Sequence, residues 1–225
     1  MRSVIKFSYA VKARSVVRTY LLAGVLALPV NNLSSWQQEA FSKKTSNQFS
    51  VENAALLVSV KKSASPLFFK MPEIKKIKGF KIIGEFKSLP TFKDVGLQGK
   101  KGSDDYPLRI GFVVLGKKTL TGLYRLVAAQ WVKRIYSLLP KGSGLDRIEF
   151  FNISQNAAEL GVKRTHYSSD LLHETIIAIQ KNPGAFSVEH SLKEPIDTIA
   201  IWISIDGDDT LSDYNVSLSA IELMY

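Results

Sequence analysis

Eight short apolar runs between residues 54 and 223 decide what this chain can fold into. They read AALLVSV (54–60), PLFFK (66–70), FKIIGEFK (80–87), PLRIGFVVL (107–115), RIEFFNIS (147–154), ETIIAIQK (174–181), DTIAIWISI (197–205) and NVSLSAIEL (215–223). Each has the length of a strand and is rich in β-branched and aromatic residues. Gly, Pro, Asn, Asp and Ser separate most of them. Short strands with turn residues between them predict a mainly β, antiparallel sandwich rather than a helical or doubly wound fold.

Alternation within the runs predicts which face each side chain takes. In the seventh run Ile199, Ile201, Ile203 and Ile205 fall on one side, and Ala200, Trp202 and Ser204 on the other. The isoleucine row must face a core, which turns Trp202 toward a covering element or a cleft. In the last run Val216, Leu218 and Ala220 share a phase that Ile221 and Leu223 break, and a β-bulge near Ala220 restores the register. One segment departs from period two. GLYRLVAAQWVKRIYSLLP (122–140) carries Leu123, Val127, Trp131, Ile135 and Leu138 or Leu139 at helical spacing, and Pro140 and Gly142 end it. It predicts one amphipathic helix covering an open end of the sandwich, its basic residues Arg125, Lys133 and Arg134 turned mainly outward.

The charge of +10 is uneven. Arg2, Lys6, Lys12, Arg14 and Arg18 precede any acid, and removing them leaves 25 basic against 20 acidic residues. That remainder is too balanced to argue for a nucleic-acid partner. The basic segment runs into YLLAGVLALPV (20–30), eleven uncharged residues, and then NNLSS. A basic stretch, a short apolar stretch and a polar exit read as a secretory leader, too short for a membrane span. The expected organisation is a leader over 1–33, cut between about 27 and 35, a linker or irregular first strand over 34–50, and the sandwich over 51–225. The mature protein is expected in the periplasm or outside the cell, with no transmembrane span. Cysteine is absent, so no disulfide, thiolate nucleophile or Cys-based zinc site is available.

Two acidic groups stand at junctions between loops and strands. Asp104 and Asp105 precede the run with Arg109, and an ion pair with Arg109 would fix the strand entry. Asp206, Asp208, Asp209 and Asp213 follow the run with Trp202. Clustered carboxylates suit a structural calcium ion, although DGDDTLSD lacks the spacing of an EF-hand and Asp-Gly also makes a good hairpin turn. Signals for enzyme chemistry are thin. His166, His173 and His190 lack metal-ligand spacing, and KGSGLD (141–146) is neither a nucleophile elbow nor a phosphate loop. Paired carboxylates such as Asp105 and Asp208 would serve glycoside hydrolysis if held about 5–9 Å apart.

DDYPLRIGFVV (104–114) and IAIWISIDGDDTLSDYNVSLSAIEL (199–223) carry a family resemblance. The chain resembles bacterial secreted proteins with a galactose-binding-like jelly-roll domain of unknown function. The matching positions are Asp104, Asp105, Tyr106 and Arg109 in the first stretch, and Asp206, Asp208, Asp209 and Thr210 in the second. The resemblance implies a jelly-roll sandwich and export, and no established activity. The leading expectation is a non-catalytic module for carbohydrate or another envelope component, with Asp105, Arg109 and Trp202 on the ligand. The alternatives are an envelope assembly factor that docks a protein partner on the 122–140 helix, and a glycan-active hydrolase built on paired aspartates.

Overall fold

In the computed structural model, residues 24–225 are described. The strands are β1 Val25–Ala27, β2 Gln37–Gln38, β3 Gln48–Glu52, β4 Ala55–Lys61, β5 Leu67–Phe86, β6 Leu108–Gly116, β7 Gly144–Ser154, β8 Lys163–Thr165, β9 Leu172–Ile179, β10 Gly184–Ser204 and β11 Asp213–Met224. Two helices, α1 Gly122–Val127 and α2 Gln130–Leu138, lie between β6 and β7. The strands hydrogen-bond in the order β3-β4-β11-β5-β10-β6-β7-β9-β8, with β1 beside β11 and β2 beside β5. All pairings are antiparallel except β7 with β9.

Two long strands turn this ribbon into two layers. β5 and β10 pair from Gly184↔Phe86 to Ile203↔Leu67. Their register shifts between Ser191 and Ile196 and again between Thr198 and Ala200. Pro72 and Pro195 fall in these irregular stretches, where no ladder donor is needed. Beyond the bends the sheet closes over itself. Phe80 on β5 pairs with Leu223 of β11, yet its ring lies 5.3 Å from Phe112 of β6 and 5.3 Å from Phe151 of β7. Those strands share no ladder with β5, so the contact spans the two layers. The mainly β sandwich expected from the sequence is the fold observed.

The enclosed core draws Val58, Phe80, Phe112, Ile201, Ile203, Ile205, Val216 and Leu218 from both layers. Burying each such side chain contributes about 1.5–3 kcal/mol. The predicted bulge is present: the β11–β5 register shifts between Leu218 and Ala220, and Ile221 and Leu223 join Val216 and Leu218 in the core. Ile199 leaves its predicted row. The shift between Thr198 and Ala200 moves it to a second apolar cluster on the outer face, with Trp202, Phe68, Phe150, Ile135 and Leu138.

That outer cluster is what α2 covers. The predicted helix is interrupted after Val127, and the second segment starts behind Ala129, whose side chain supplies no cap. Ile135 and Leu138 are buried as expected, whereas Val127 is 80% exposed. The side chains of Leu123 and Arg125 lie outside the described residues. The basic face is partly spent on internal contacts. Arg134 bonds Gln37 and pairs with Glu39, and Lys133 donates to the Leu126 carbonyl. Among the described residues no helix is long and apolar enough to cross a membrane.

The second half of the apolar stretch assigned to the leader is built into the fold. β1 pairs with the end of β11, Val25↔Met224 to Ala27↔Glu222, and Gly24 and Tyr225 exchange backbone hydrogen bonds of 3.0 and 2.9 Å. Leu28 and Val30 are buried, and the buried Trp36 donates its indole N–H to the Pro29 carbonyl at 3.0 Å. Residues 1–23 of the expected leader lie outside the described residues. A cut between 27 and 35 would sever β1 from the sandwich.

Candidate functional site

The first turns of β6, the last turns of β10 and the loop after it converge on a cavity of about 410 Å³. Its apolar side is made by strand geometry. Gly111 on β6 pairs with Trp202 of β10 and Phe150 of β7. A Cβ at Gly111 would meet the Phe150 ring at 2.5 Å, so only glycine lets that ring lie across the strand. Phe150 packs edge-on to Trp202 with centroids 5.0 Å apart. Phe41, from the loop between β2 and β3, and Trp131, from the start of α2, approach the same indole at 6.4 and 5.7 Å. Trp202 therefore has both the covering helix and the cleft that its strand phase predicted. It lines the cavity, is 3% exposed, and its Nε1–H has no hydrogen-bond partner among the described residues.

The polar side is organised around Arg109. One guanidinium nitrogen donates to the Asp104 carboxylate at 2.9 Å and also bonds the Asp104 carbonyl, and another lies 3.2 Å from Asp206. Its Nε has no hydrogen bond, and Glu174 is 3.7 Å away. The Arg109 guanidinium also sits 4.6 Å from the Tyr106 ring centre, a cation–π distance. Behind it a second network holds Arg164 to Glu174 at 2.8 Å, to Glu159 at 2.9 Å and to the Tyr106 hydroxyl. Buried polar groups held this densely fix one geometry.

The two motifs singled out in the sequence meet here. The Asp105 carboxylate accepts from the Thr210 N–H and hydroxyl, both at 2.6 Å, and from the Asp209 N–H at 3.3 Å. Asp209 in turn accepts the Asp104 N–H at 3.1 Å. Ser204 donates to Asp206 at 2.9 Å, and Lys44 pairs with Asp208. Asp105, Arg109 and Trp202 thus line one cavity with Asp206, Asp208 and Asp209. Asp213 does not join them: it starts β11, exposed, opposite Lys61.

These partners weigh against calcium at the predicted aspartates. Asp206 and Asp208 already bond a guanidinium and an ammonium, and Asp209 a backbone N–H, so an ion there would share its carboxylates with two cations. A different trio, Asp104, His166 and Glu174, brings three ligand atoms within 4.8 Å of one another. It too is bonded to cationic side chains, Arg109 and Arg164.

Environment splits the carboxylates. Burial pushes Asp206 up to about 7, with the Arg109 charge opposing and the Asp105 charge assisting. Burial also raises Asp105, against its bonds to Thr210. Burial acts the same way on Asp104, but Arg109 and His166 outweigh it and hold that group below its ordinary value. Between about pH 4 and pH 7 the folded protein holds a proton on Asp206 that the unfolded chain releases, so this residue's contribution to stability falls as pH rises through that window. Asp104 acts oppositely, and its contribution is lost as pH falls. An Asp206→Asn variant is expected to gain stability relative to the parent protein between about pH 5 and about pH 8, as read by urea unfolding at both values. An unchanged difference would contradict the placement of Asp206.

Sequence reasoning did not find Lys44, Phe41, Trp131, His166 or Tyr167 as cavity residues. His166 follows β8 and stands 2.6 Å from Asp104, 62 positions away in the chain. Nothing in its sequence neighbourhood marks that contact. Trp131 was visible as part of a helical stripe, which gives its face but not the cavity beneath it.

No family model matches the chain, and no curated protein matches it by sequence. Solved structures resemble it in shape. The xylan-binding module CBM15 matches with a TM-score of 0.39 at 10% identity, over 90% of this chain and 96% of that one. The exoplasmic/lumenal domain of VIP36, in its calcium- and mannose-bound form, matches with a TM-score of 0.38 at 10% identity, over 88% of each chain. The enzymatically active domain of tailspike protein 4 of bacteriophage CBA120 matches with a TM-score of 0.37 at 7% identity, over 88% of this chain and 20% of that one. This chain thus spans about a fifth of the tailspike chain. Likeness at this level says nothing of ligand or activity here.

Proposed function

We propose that the protein is an exported, non-catalytic module that binds carbohydrate in the cavity over Trp202. The observation that carries this reading is the pairing of surfaces. An aromatic wall of Trp202, Trp131 and Phe41 faces the polar groups of Asp105, Asp208 and Arg109 across one cleft. Sugar rings present an apolar face and a rim of hydroxyls, and sites of this composition match both.

Binding is favoured over hydrolysis by what the carboxylates already hold. Asp104 and Asp206 are both engaged by Arg109, and Asp105 is engaged by Thr210. Glycoside hydrolysis needs two carboxyl groups turned to the scissile bond from opposite sides. Docking of a protein partner on the helix is weakened by the internal bonds of Arg134 and Lys133.

The test uses a glycan array, followed by calorimetry on any hit. Trp202 is a poor probe, because removing so buried an aromatic costs about 3–5 kcal/mol of stability. Trp131 is only partly buried, and Trp131→Ala is expected to lower affinity about tenfold with a smaller loss of stability than Trp202→Ala. A protein that binds no glycan on the array overturns the proposal.

A further inference from the structure

Between Asp105 and Asp146 the chain has no acidic residue, and Lys117, Lys118, Arg125, Lys133, Arg134 and Lys141 fall in that stretch. Both helices lie in it. The two acids that follow in β7, Asp146 and Glu149, are both paired with Arg147. The α1–α2 corner is therefore the place where the protein's excess positive charge is least compensated in sequence.

The two faces of α2 do different things. Trp131, Ile135 and Leu138 turn onto the outer apolar cluster. Lys133, Tyr136 and Ser137 recur at the same helical spacing on the opposite side. There they line a second cleft, of about 630 Å³, together with Leu126, Leu139 and Lys141. No acid lines it among the described residues. Lys133 donates to the Leu126 carbonyl at 3.0 Å, which ties α1 to α2. An ammonium has three donors, and a neutral carbonyl leaves its charge in place.

The rim of this cleft is apolar and uncovered. Leu126 and Val127 are 73% and 80% exposed, the two most exposed large apolar side chains among the described residues. One exposed leucine is ordinary. An adjacent apolar pair beside a basic cleft has the composition of a membrane-surface anchor, in which apolar side chains meet the acyl boundary and ammoniums meet phosphates.

We propose that the α1–α2 corner docks the protein on a bilayer rich in anionic phospholipid, with Leu126 and Val127 in the boundary between headgroups and acyl chains and Lys133 and Lys141 on lipid phosphates. A soluble polyanion would satisfy the lysines but offers nothing to the apolar pair. The docking stands apart from carbohydrate binding, because α2 presents Trp131 to the Trp202 cavity and Lys133 to the opposite side.

The chain has no cysteine, so one introduced thiol can carry a polarity-sensitive fluorophore. Full-length protein with Val127→Cys, labelled in this way, is mixed with phosphatidylcholine vesicles that contain either no phosphatidylglycerol or about one third of it. A blue shift is expected with the anionic vesicles and little or none with the neutral ones. A label at Leu160→Cys, past the other end of β7, is expected to stay unchanged. Lys141→Gln, which breaks no internal bond among the described residues, is expected to weaken the partitioning several-fold, and Lys133→Gln with Lys141→Gln about tenfold. No shift at position 127 overturns the proposal, even where the protein sediments with vesicles through its basic N-terminal segment. So does an equal shift on neutral vesicles, or partitioning that the lysine variants leave unchanged.

Discussion

An Arg109→Met variant should lose about 3–5 kcal/mol of stability, a large part of what a domain of this size has in reserve. Arg109 is 9% exposed, and it is the cation that Asp104 and Asp206 share. Methionine fills much of the volume but leaves the Asp104 and Asp206 carboxyl groups without their shared cation in a poorly hydrated site, with Glu174 close behind. Breaking a buried pair from one side is costly for that reason, whereas replacing both sides is often tolerated. Adding Asp206→Asn to Arg109→Met should therefore recover part of the loss. Urea unfolding of the parent, single and double variants reads the coupling directly. A single variant as stable as the parent would show that Arg109 does not hold the two strand ends together.

The second large effect concerns the N-terminal strand. A chain starting at Gly24 should melt close to the full-length protein, and one starting at Trp36 well below it. The longer truncation removes β1, two buried apolar side chains, Leu28 and Val30, and the acceptor of the Trp36 indole. The two side chains alone account for about 3–6 kcal/mol. That predicts a fall in melting temperature of about 10 °C or more, with aggregation along the uncovered edge of β11. Equal melting of the two truncated chains would refute a structural role for residues 24–35. An exported form is accordingly expected to be cut ahead of Gly24 and not between 27 and 35, and N-terminal sequencing of exported protein checks this.

Much of the strand pattern was legible. The bulge at Ala220 followed from a phase break between Leu218 and Ile221, which is a local property of five residues. Other features were hidden. The runs at 66–70 and 80–87 are one strand, because charged residues and Pro72 between them mark a bend in β5 rather than its end. Residues 25–27 share the apolar composition of a leader, and in the fold they pair with the end of β11. The helix stripe was right for Ile135 and Leu138 and failed at Val127, since periodicity shows no interruption where two alanines carry no cap signal.

Within the candidate site the residue types were visible and their grouping was not. Asp105, Arg109 and Trp202 could be named because acids, guanidinium and indole stand out beside strand ends. That Asp213 lies apart while His166 and Lys44 belong could not be read, because each depends on which strands become neighbours.

The sequence by itself determined where the chain is extended and which face of each strand is apolar, because side-chain alternation is set within a few bonds. Only the tertiary structure decided that Asp105 meets Thr210 and that Arg109, beside the nearby Asp104, also reaches Asp206. Those contacts close loops of roughly a hundred residues, and their geometry is fixed by the register of β6 against β10 and by the bends in β5 and β10, not by any neighbour in the chain.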